Sequence, residues 1–260
     1  MGREPPSPVP LTRAQLATLR GWFLPERPGP LVAQHVIGTG NGSCLADRWP
    51  DPRALVVETG GNYTLAGDPA ALDPARLRGR VAGFVEAPAA FEPLLRAATR
   101  RLHEWPRVVL ALQGPDRPPP RHRSDHRLRR LGPGDAGSLA RLGEETNWIA
   151  NTWGGPGGLA ASGTAWGAFD GPRLVAVACP FFVGAVHEDL GVATEPDARG
   201  LGLSTACAGA VCRDVRRRGR VPSWTTSPGN TASLRVAAKL GFTLQRRDRL
   251  LVADVPVPGP

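Results

Sequence analysis

Two hydrophobic periods alternate along the chain. Some windows repeat apolar residues at helical spacing, others at every second position, and proline or glycine clusters separate them. Residues 11–23 read as a helix with Leu16, Leu19, Trp22 and Phe23 on one stripe, closed by Pro25, Pro28 and Pro30. Residues 54–58 read as an apolar strand, Gly60 and Gly61 as a turn, and residues 63–66 as the return strand of a hairpin. A strand at 81–86, an amphipathic helix at 91–105 and a strand at 107–112 follow. Residues 115–124 then carry three consecutive prolines, which neither a helix interior nor a central strand accommodates.

Beyond that break the alternation restarts. The pattern predicts a strand at 126–130, a helix at 133–145 and an irregular Gly-rich stretch at 148–162. A hairpin of 164–169 and 173–179 and one long strand at 181–194 come next. A helix of about 16 residues opens behind Gly200 and Gly202 and ends at Gly219. A strand at 221–226, a helix at 230–240 and a final strand pair at 242–255 complete the pattern. The prediction is a mixed α/β protein: a disordered N-terminus (1–10), a smaller α/β domain (11–114), a semi-rigid Pro-rich linker (115–124) and a second α/β domain (125–260).

Composition and charge narrow the function classes. A hydrophobic fraction of 41% with 21% charged residues is that of a soluble globular protein. No apolar run approaches a membrane span, the start MGREPPSPVP has no apolar signal region, and Pro6 stands where a myristoylation signal needs Ser or Thr. The four cysteines, Cys44, Cys179, Cys207 and Cys212, form no CxxC pair, so a reducing, cytoplasmic location is expected. The net charge of +9 rests on arginine, Lys239 being the single lysine, and it divides evenly between the two halves. An even spread lacks the footprint of a nucleic-acid arm, so neither nucleic acid nor membrane is expected as a partner. His122 and His126 lack further ligands at metal spacing, and no metal is expected.

The stretch with chemistry in it runs from Val192 to Cys207: strand, short loop, Gly200-Leu201-Gly202, helix. Glycines here let the backbone adopt dihedrals closed to other residues, and the free N–H groups at the helix start converge on one point, a site for phosphate or pyrophosphate. The spacing is neither GxGxxG nor GxxxxGK[ST], so neither a dinucleotide fold nor a P-loop is indicated. Downstream lie a strand and then Asn230-Thr-Ala-Ser-Leu-Arg-Val-Ala-Ala-Lys-Leu-Gly-Phe242. With Arg199-Gly-Leu-Gly202-Leu-Ser204 before them, residues 125–255 resemble the GNAT superfamily of acyl-CoA-dependent N-acyltransferases, most clearly from Val186 to Phe242. The first half is expected to be a degenerate domain of similar type.

The resemblance implies acetyl-CoA as co-substrate and a primary amine of a small molecule as acceptor. It implies that the backbone from Val192 through Ala193 to Thr194 pairs with the pantetheine, that Arg199, Gly200, Leu201, Gly202, Leu203, Ser204 and Thr205 hold the pyrophosphate, and that Asn230 and Ser233 line the cofactor arm. Asn230 also reads as a helix N-cap. Glu188 is the expected general base, on the Thr194 face of a regular strand, with His187 and Asp189 on the other face unless a bulge intervenes. Trp148, Trp153 and Trp166 read either as an acceptor wall or as core. The sequence departs from the family at Ala237, where a tyrosine acid is usual; the acid is either missing, supplied by another group such as Ser233, or a water. Three other readings stay open: a protein or peptide acceptor, a non-catalytic CoA-binding sensor, and an aminoacyl-tRNA-dependent transferase. The oligomeric state is not legible.

Overall fold

A computed structural model describes residues 8–114 and 125–259. The first half runs β1 (Val9–Pro10), α1 (Arg13–Thr18), α2 (Val32–Thr39), β2 (Ser43–Ala46), β3 (Ala54–Thr59), β4 (Asn62–Gly67), α3 (Pro74–Leu77), β5 (Gly83–Glu86), α4 (Glu92–Ala98) and β6 (Leu102–Ala111). The second half runs β7 (Arg127–Arg130), α5 (Ala136–Ala140), α6 (Pro156–Ser162), β8 (Trp166–Asp170), β9 (Arg173–Val183), β10 (His187–Thr194), α7 (Leu203–Arg217), β11 (Val221–Thr226), α8 (Thr231–Leu240) and β12 (Thr243–Ala253).

Two compact units result. Unit 1 is Met1–Pro25, Val32–Arg107 and Asp248–Pro260; unit 2 is Glu26–Leu31 and Val108–Arg247. The division falls inside β6 and β12 rather than in residues 115–124, which lie outside the described residues. Pairing is the reason. Val108–Ala111 of β6 pairs with Ser223–Thr226 of β11, so the last four residues of β6 belong to unit 2. Gly83–Val85 of β5 pairs with Leu251–Ala253 of β12, so the end of β12 belongs to unit 1. Unit 2 also takes in six residues, Glu26–Leu31, from far upstream.

Unit 1 orders its strands β1-β2-β3-β4-β5-β12, antiparallel except for the parallel β4–β5 pair. Phe91, Leu95, Leu65, Val85 and Leu251 form its core. Unit 2 orders its strands β7-β8-β9-β10-β11-β6, antiparallel except for the parallel β10–β11 pair. Its sheet is covered on both faces. Leu190, Leu203, Cys207, Val211, Val215, Trp224 and Phe242 form one core with α7 and α8, while Ile149, Leu139, Leu159, Val177 and Ala193 form another with α5 and α6. Burying each large apolar side chain of α7 stabilises by roughly 1.5–3 kcal/mol.

Several expectations need correction. Residues 11–23 form α1, opened by a Thr12–Gln15 capping box, and then a separate 3-10 turn at Arg20–Phe23. Val9 and Pro10, expected to be disordered, pair with Ala46 and Leu45. The helix expected at 91–105 stops at Ala98, because Asp254 accepts the N–H groups of Arg100 and Arg101 (2.9 and 2.8 Å) and turns the chain into β6. The helix expected at 133–145 is α5 alone, and the irregular 148–162 contains a 3-10 turn, Asn147–Trp153, and α6. The strand expected at 181–194 is two strands, the end of β9 and β10, and the final strand pair is one strand, β12. α7, β11 and α8 fall where the pattern put them.

Candidate active site

The glycine turn has the conformation its sequence requires. Gly200 and Gly202 both lie at φ +82°, where a side chain is strained, and an added Cβ at either would meet nothing within 4 Å. The glycines therefore serve backbone shape, and the space beside them is open. Gly202 is the N-cap of the 15-residue α7, and no side chain caps that helix. The N–H groups of Leu203, Ser204 and Thr205 precede the first intrahelical bond, and with the helix dipole they favour an anion. Gly200, Leu201 and Gly202 are solvent-exposed. Arg199 donates to Glu145 Oε2 (2.6 Å) and to the Thr194 carbonyl (3.4 Å). Both side chains of that ion pair are more than half exposed, so the pair is weak and Arg199 is free to turn to a phosphate. The Ser204 hydroxyl shares a 2.8 Å hydrogen bond with Thr194 Oγ1, tying the first turn of α7 to the end of β10.

A fork opens beside this turn. β10 and β11 pair in parallel only at His187–Val221, Glu188–Pro222 and Asp189–Ser223. β10 continues to Thr194 against β9, and β11 continues to Thr226 against β6, without pairing to each other. Val192, Ala193 and Thr194 therefore lie along an edge that β11 has left, as a strand-like partner would need. An extended amide-bearing chain with a phosphate at one end fits this frame: edge backbone along the fork, uncapped helix N-terminus at its mouth.

The two faces of the fork differ. Leu190 and Val192 point into the core beneath α7 and α8, and Glu188 shares that face. Its carboxylate is 1% exposed and is enclosed by Arg218 (Nε 3.0 Å, Nη2 2.6 Å) and Arg220 (Nη1 2.8 Å), where α7 ends. Strand alternation does place Glu188 on the Thr194 face, but that face is closed, and two guanidinium groups occupy both oxygens of the carboxylate. The expected base is thus a fastening between β10 and the end of α7.

Asp189 points the other way. It is 4% exposed, and Oδ1 accepts from Ser223 Oγ (2.7 Å) and Thr225 Oγ1 (3.1 Å), the two β11 residues that alternate with the core residue Trp224. On the same β10 face, Gly191 lies under Ile149 and Phe181; an added Cβ would stand 2.8 Å from Ile149 Cδ1 and 3.2 Å from Phe181 Cβ. Phe181 is the extra residue of a β9 bulge, since the register passes from Asp189–Phe182 to Leu190–Pro180. Thr152 Oγ1 and Trp153 Nε1 take up the carbonyls of Phe181 (2.6 Å) and Pro180 (2.8 Å). Trp148, 38% exposed, packs edge-on against Phe181 at 5.5 Å. Of the three tryptophans, Trp148 thus stands at this face, Trp153 braces the bulge, and Trp166 donates to Asp214 on α7 (2.7 Å). Asp189, Ser223 and Thr225 were missed as a set; the alternation Ser223-Trp224-Thr225 was their one local trace.

α8 supplies less chemistry than expected. Asn230 caps it by accepting the Ser233 N–H (2.9 Å), and its amide NH₂ stays available as a donor. Ser233 Oγ accepts the Trp224 indole N–H (2.9 Å), which leaves its own proton to donate. Ala237 is fully buried in the α7–α8 core. Burial pushes the Cys207 thiol up to about 12 and raises Cys179 as well, so neither is a nucleophile. Among the described residues no group of three or more His, Cys, Asp or Glu is arranged to hold a metal ion, and no helix is long and apolar enough to cross a membrane. His122 lies outside the described residues.

Comparison with known proteins gives the family and the fold. The GNAT acetyltransferase family model matches residues 138–249. An uncharacterised N-acetyltransferase from the mutA 5′ region of Streptomyces virginiae is 43% identical over 199 residues, 76% of this chain and 84% of that protein. Among solved structures, a GCN5-related N-acetyltransferase-like protein from Streptococcus suis superposes with a TM-score of 0.70 at 16% identity, covering 94% of this chain and all of that one. A tandem GNAT protein from the clavulanic acid biosynthesis pathway gives a TM-score of 0.57 at 13% identity over 97% of this chain and 99% of its own. These likenesses carry the fold, and the curated relative carries the family: the chain belongs to the GNAT N-acetyltransferases, with one GNAT-like fold in each unit and the open glycine turn in unit 2.

Proposed function

We propose that the protein transfers an acetyl group from acetyl-CoA to the primary amine of a small molecule, by direct attack within a ternary complex. The observation that carries this reading is the fork between β10 and β11 lying beside the uncapped α7 N-terminus behind Gly200 and Gly202. Leu203, Ser204 and Thr205 would hold the pyrophosphate through backbone N–H groups, assisted by Arg199. Val192, Ala193 and Thr194 would pair along the pantetheine, and Asn230 and Ser233 would face it from α8. Acetyl-CoA supplies an activated thioester. The side chains of this chain orient it, take a proton from the acceptor ammonium, and shelter the attack from water. No covalent enzyme intermediate is needed, in keeping with buried, protonated thiols. Four free, buried cysteines suit a reducing, cytoplasmic compartment.

Titration calorimetry of acetyl-CoA into the full chain tests the cofactor half. A panel of amino acids, polyamines and aminoglycosides, followed by thiol release, tests the acceptor half. Micromolar binding with turnover on one panel class supports the reading; absent binding overturns it. Buried Ala237 in the usual position of the tyrosine acid favours one alternative, a CoA-binding sensor, which predicts binding without turnover on any amine.

A further inference from the structure

The piece of unit 2 with the greatest sequence separation is the strap Glu26–Leu31. Its Glu26 side chain is 3% exposed and receives three backbone N–H groups, from Ala185 (2.7 Å), Val186 (2.9 Å) and His187 (2.7 Å), at the turn that leads into β10. Pro28 offers its carbonyl to Arg246 Nη1 (2.5 Å) on β12. Gly29 N–H donates to Ser223 Oγ (3.3 Å), and the hydroxyl of Ser223, fully buried, donates in turn to Asp189 Oδ1 (2.7 Å). A run of donors thus leads from the strap through β11 to the one acidic side chain at the fork that faces away from α7. Two residues further along the same face of β10, the bulged Phe181 stands over Gly191 and packs against the exposed Trp148.

We propose that the strap is a working part of the acyl-transfer site. Through Gly29 and Ser223 it fixes the Asp189 carboxylate at the fork, where Asp189 binds the acceptor ammonium against the Phe181–Trp148 wall and takes its proton. Asp189 is the catalytic residue; Ser223 and Glu26 are positioning residues. This rests on the acetyl-transfer reading above. The step balances: the ammonium N–H bond breaks and its proton goes to Asp189, directly or through one water. The freed lone pair forms a C–N bond to the thioester carbon, the C–S bond breaks, and the thiolate leaves to be protonated from solvent or from Ser233. A carboxylate and an aromatic wall together suit a cationic amine.

The test uses the full chain and the best acceptor of the amine panel. Asp189→Asn is expected to lower kcat on the order of 100-fold or more, with the dissociation constant of acetyl-CoA unchanged. Raising the pH, so that solution supplies the free amine, should shrink that deficit. The charged and titratable groups carried by the surrounding elements include Glu26 on the strap, His187 on β10, Arg107 on β6 and Arg246 on β12; none of them is altered in these variants except in Glu26→Gln. Ser223→Ala and Glu26→Gln should each lower kcat about tenfold without changing the KM for acetyl-CoA, and Ser223→Ala should move the acid limb of the profile upward, because a lost donor favours the protonated carboxyl. These two milder variants keep the test open if Asp189→Asn does not fold. Wild-type turnover with an unchanged kcat in Asp189→Asn overturns the inference alone. An Asp189→Asn deficit that is equal at every pH overturns the role of Asp189 as base, and a kcat untouched by Ser223→Ala and Glu26→Gln overturns the positioning role. Wild-type binding of acetyl-CoA without any turnover overturns the acetyl-transfer reading itself, and the inference with it.

Discussion

In both units an antiparallel meander leads to a parallel neighbour that pairs for three residues and then departs: Asn62–Phe84 to Thr64–Glu86 in unit 1, His187–Val221 to Asp189–Ser223 in unit 2. In both, a proline-led 3-10 turn follows the meander, Pro69–Ala71 in one and Pro196–Ala198 in the other. The helix after that turn is where they part. Unit 2 has Gly202, no side-chain cap and 15 helical residues. Unit 1 has Asp73, whose carboxylate accepts the Ala75 N–H (2.8 Å), then Pro74, which has no N–H, and four helical residues. An aspartate at that point satisfies the orphan donor and repels a phosphate, and one turn of helix carries almost no dipole. The shared strand order needs only buried apolar faces, whereas the anion site needs a few particular residues at one helix start. A GNAT-like fold is thus present in unit 1 without an open glycine turn at this helix start.

The largest expected effect tests that difference. Gly202→Glu places bulk and charge at the open turn and should weaken acetyl-CoA binding on the order of 100-fold, with wild type binding one equivalent per chain. A second equivalent surviving in the variant would mean that unit 1 binds cofactor too. Next, Glu188→Gln should cost about 3 kcal/mol in urea unfolding, the low end for breaking a buried ion pair since Arg218 and Arg220 are 31% exposed, while kcat of the folded protein stays unchanged. A large kcat loss at full stability would restore Glu188 as base. Smaller still, Asp73→Ala should cost about 1 kcal/mol by loss of a cap and create no acetyl-CoA site in unit 1; new binding there would show that the aspartate alone separates the units. Finally, Cys44 in unit 1 and Cys207 in unit 2 are both pushed up to about 12 by burial, so both stay protonated at neutral pH. Iodoacetamide should therefore leave turnover unchanged and label neither until the protein unfolds; fast labelling of one would expose a difference in local opening between the units.

Legibility along the chain followed the range of the forces involved. α7, β11 and α8 were readable because a glycine turn, an Asn cap and αL Gly219 and Gly241 mark their ends within a few residues. α2 was not, since five of its eight residues, Val32, Ala33, His35, Val36 and Ile37, are buried, and so short and nearly continuous a run sets no clear period. The strand expected at 181–194 hid the Gly184–Val186 turn, which is stabilised by Glu26, about 160 residues away. The glycine turn before α7 was fully visible. The difference between the two neighbouring carboxylates was not, because alternation tells that Glu188 and Asp189 face opposite ways but not that the end of α7 encloses Glu188.

The sequence by itself determined the local chemistry: the caps, the left-handed glycines, the uncapped start of α7 and the aspartate that replaces it in unit 1. Each of these is settled between residues at most a few positions apart. Only the tertiary structure decided that Arg218 and Arg220 enclose Glu188, that β6 and β12 each serve two units, and that Gly29 reaches Ser223 across 194 positions. Those pairings are chosen by burial and hydrogen-bond satisfaction among distant segments, and no local pattern encodes the partner.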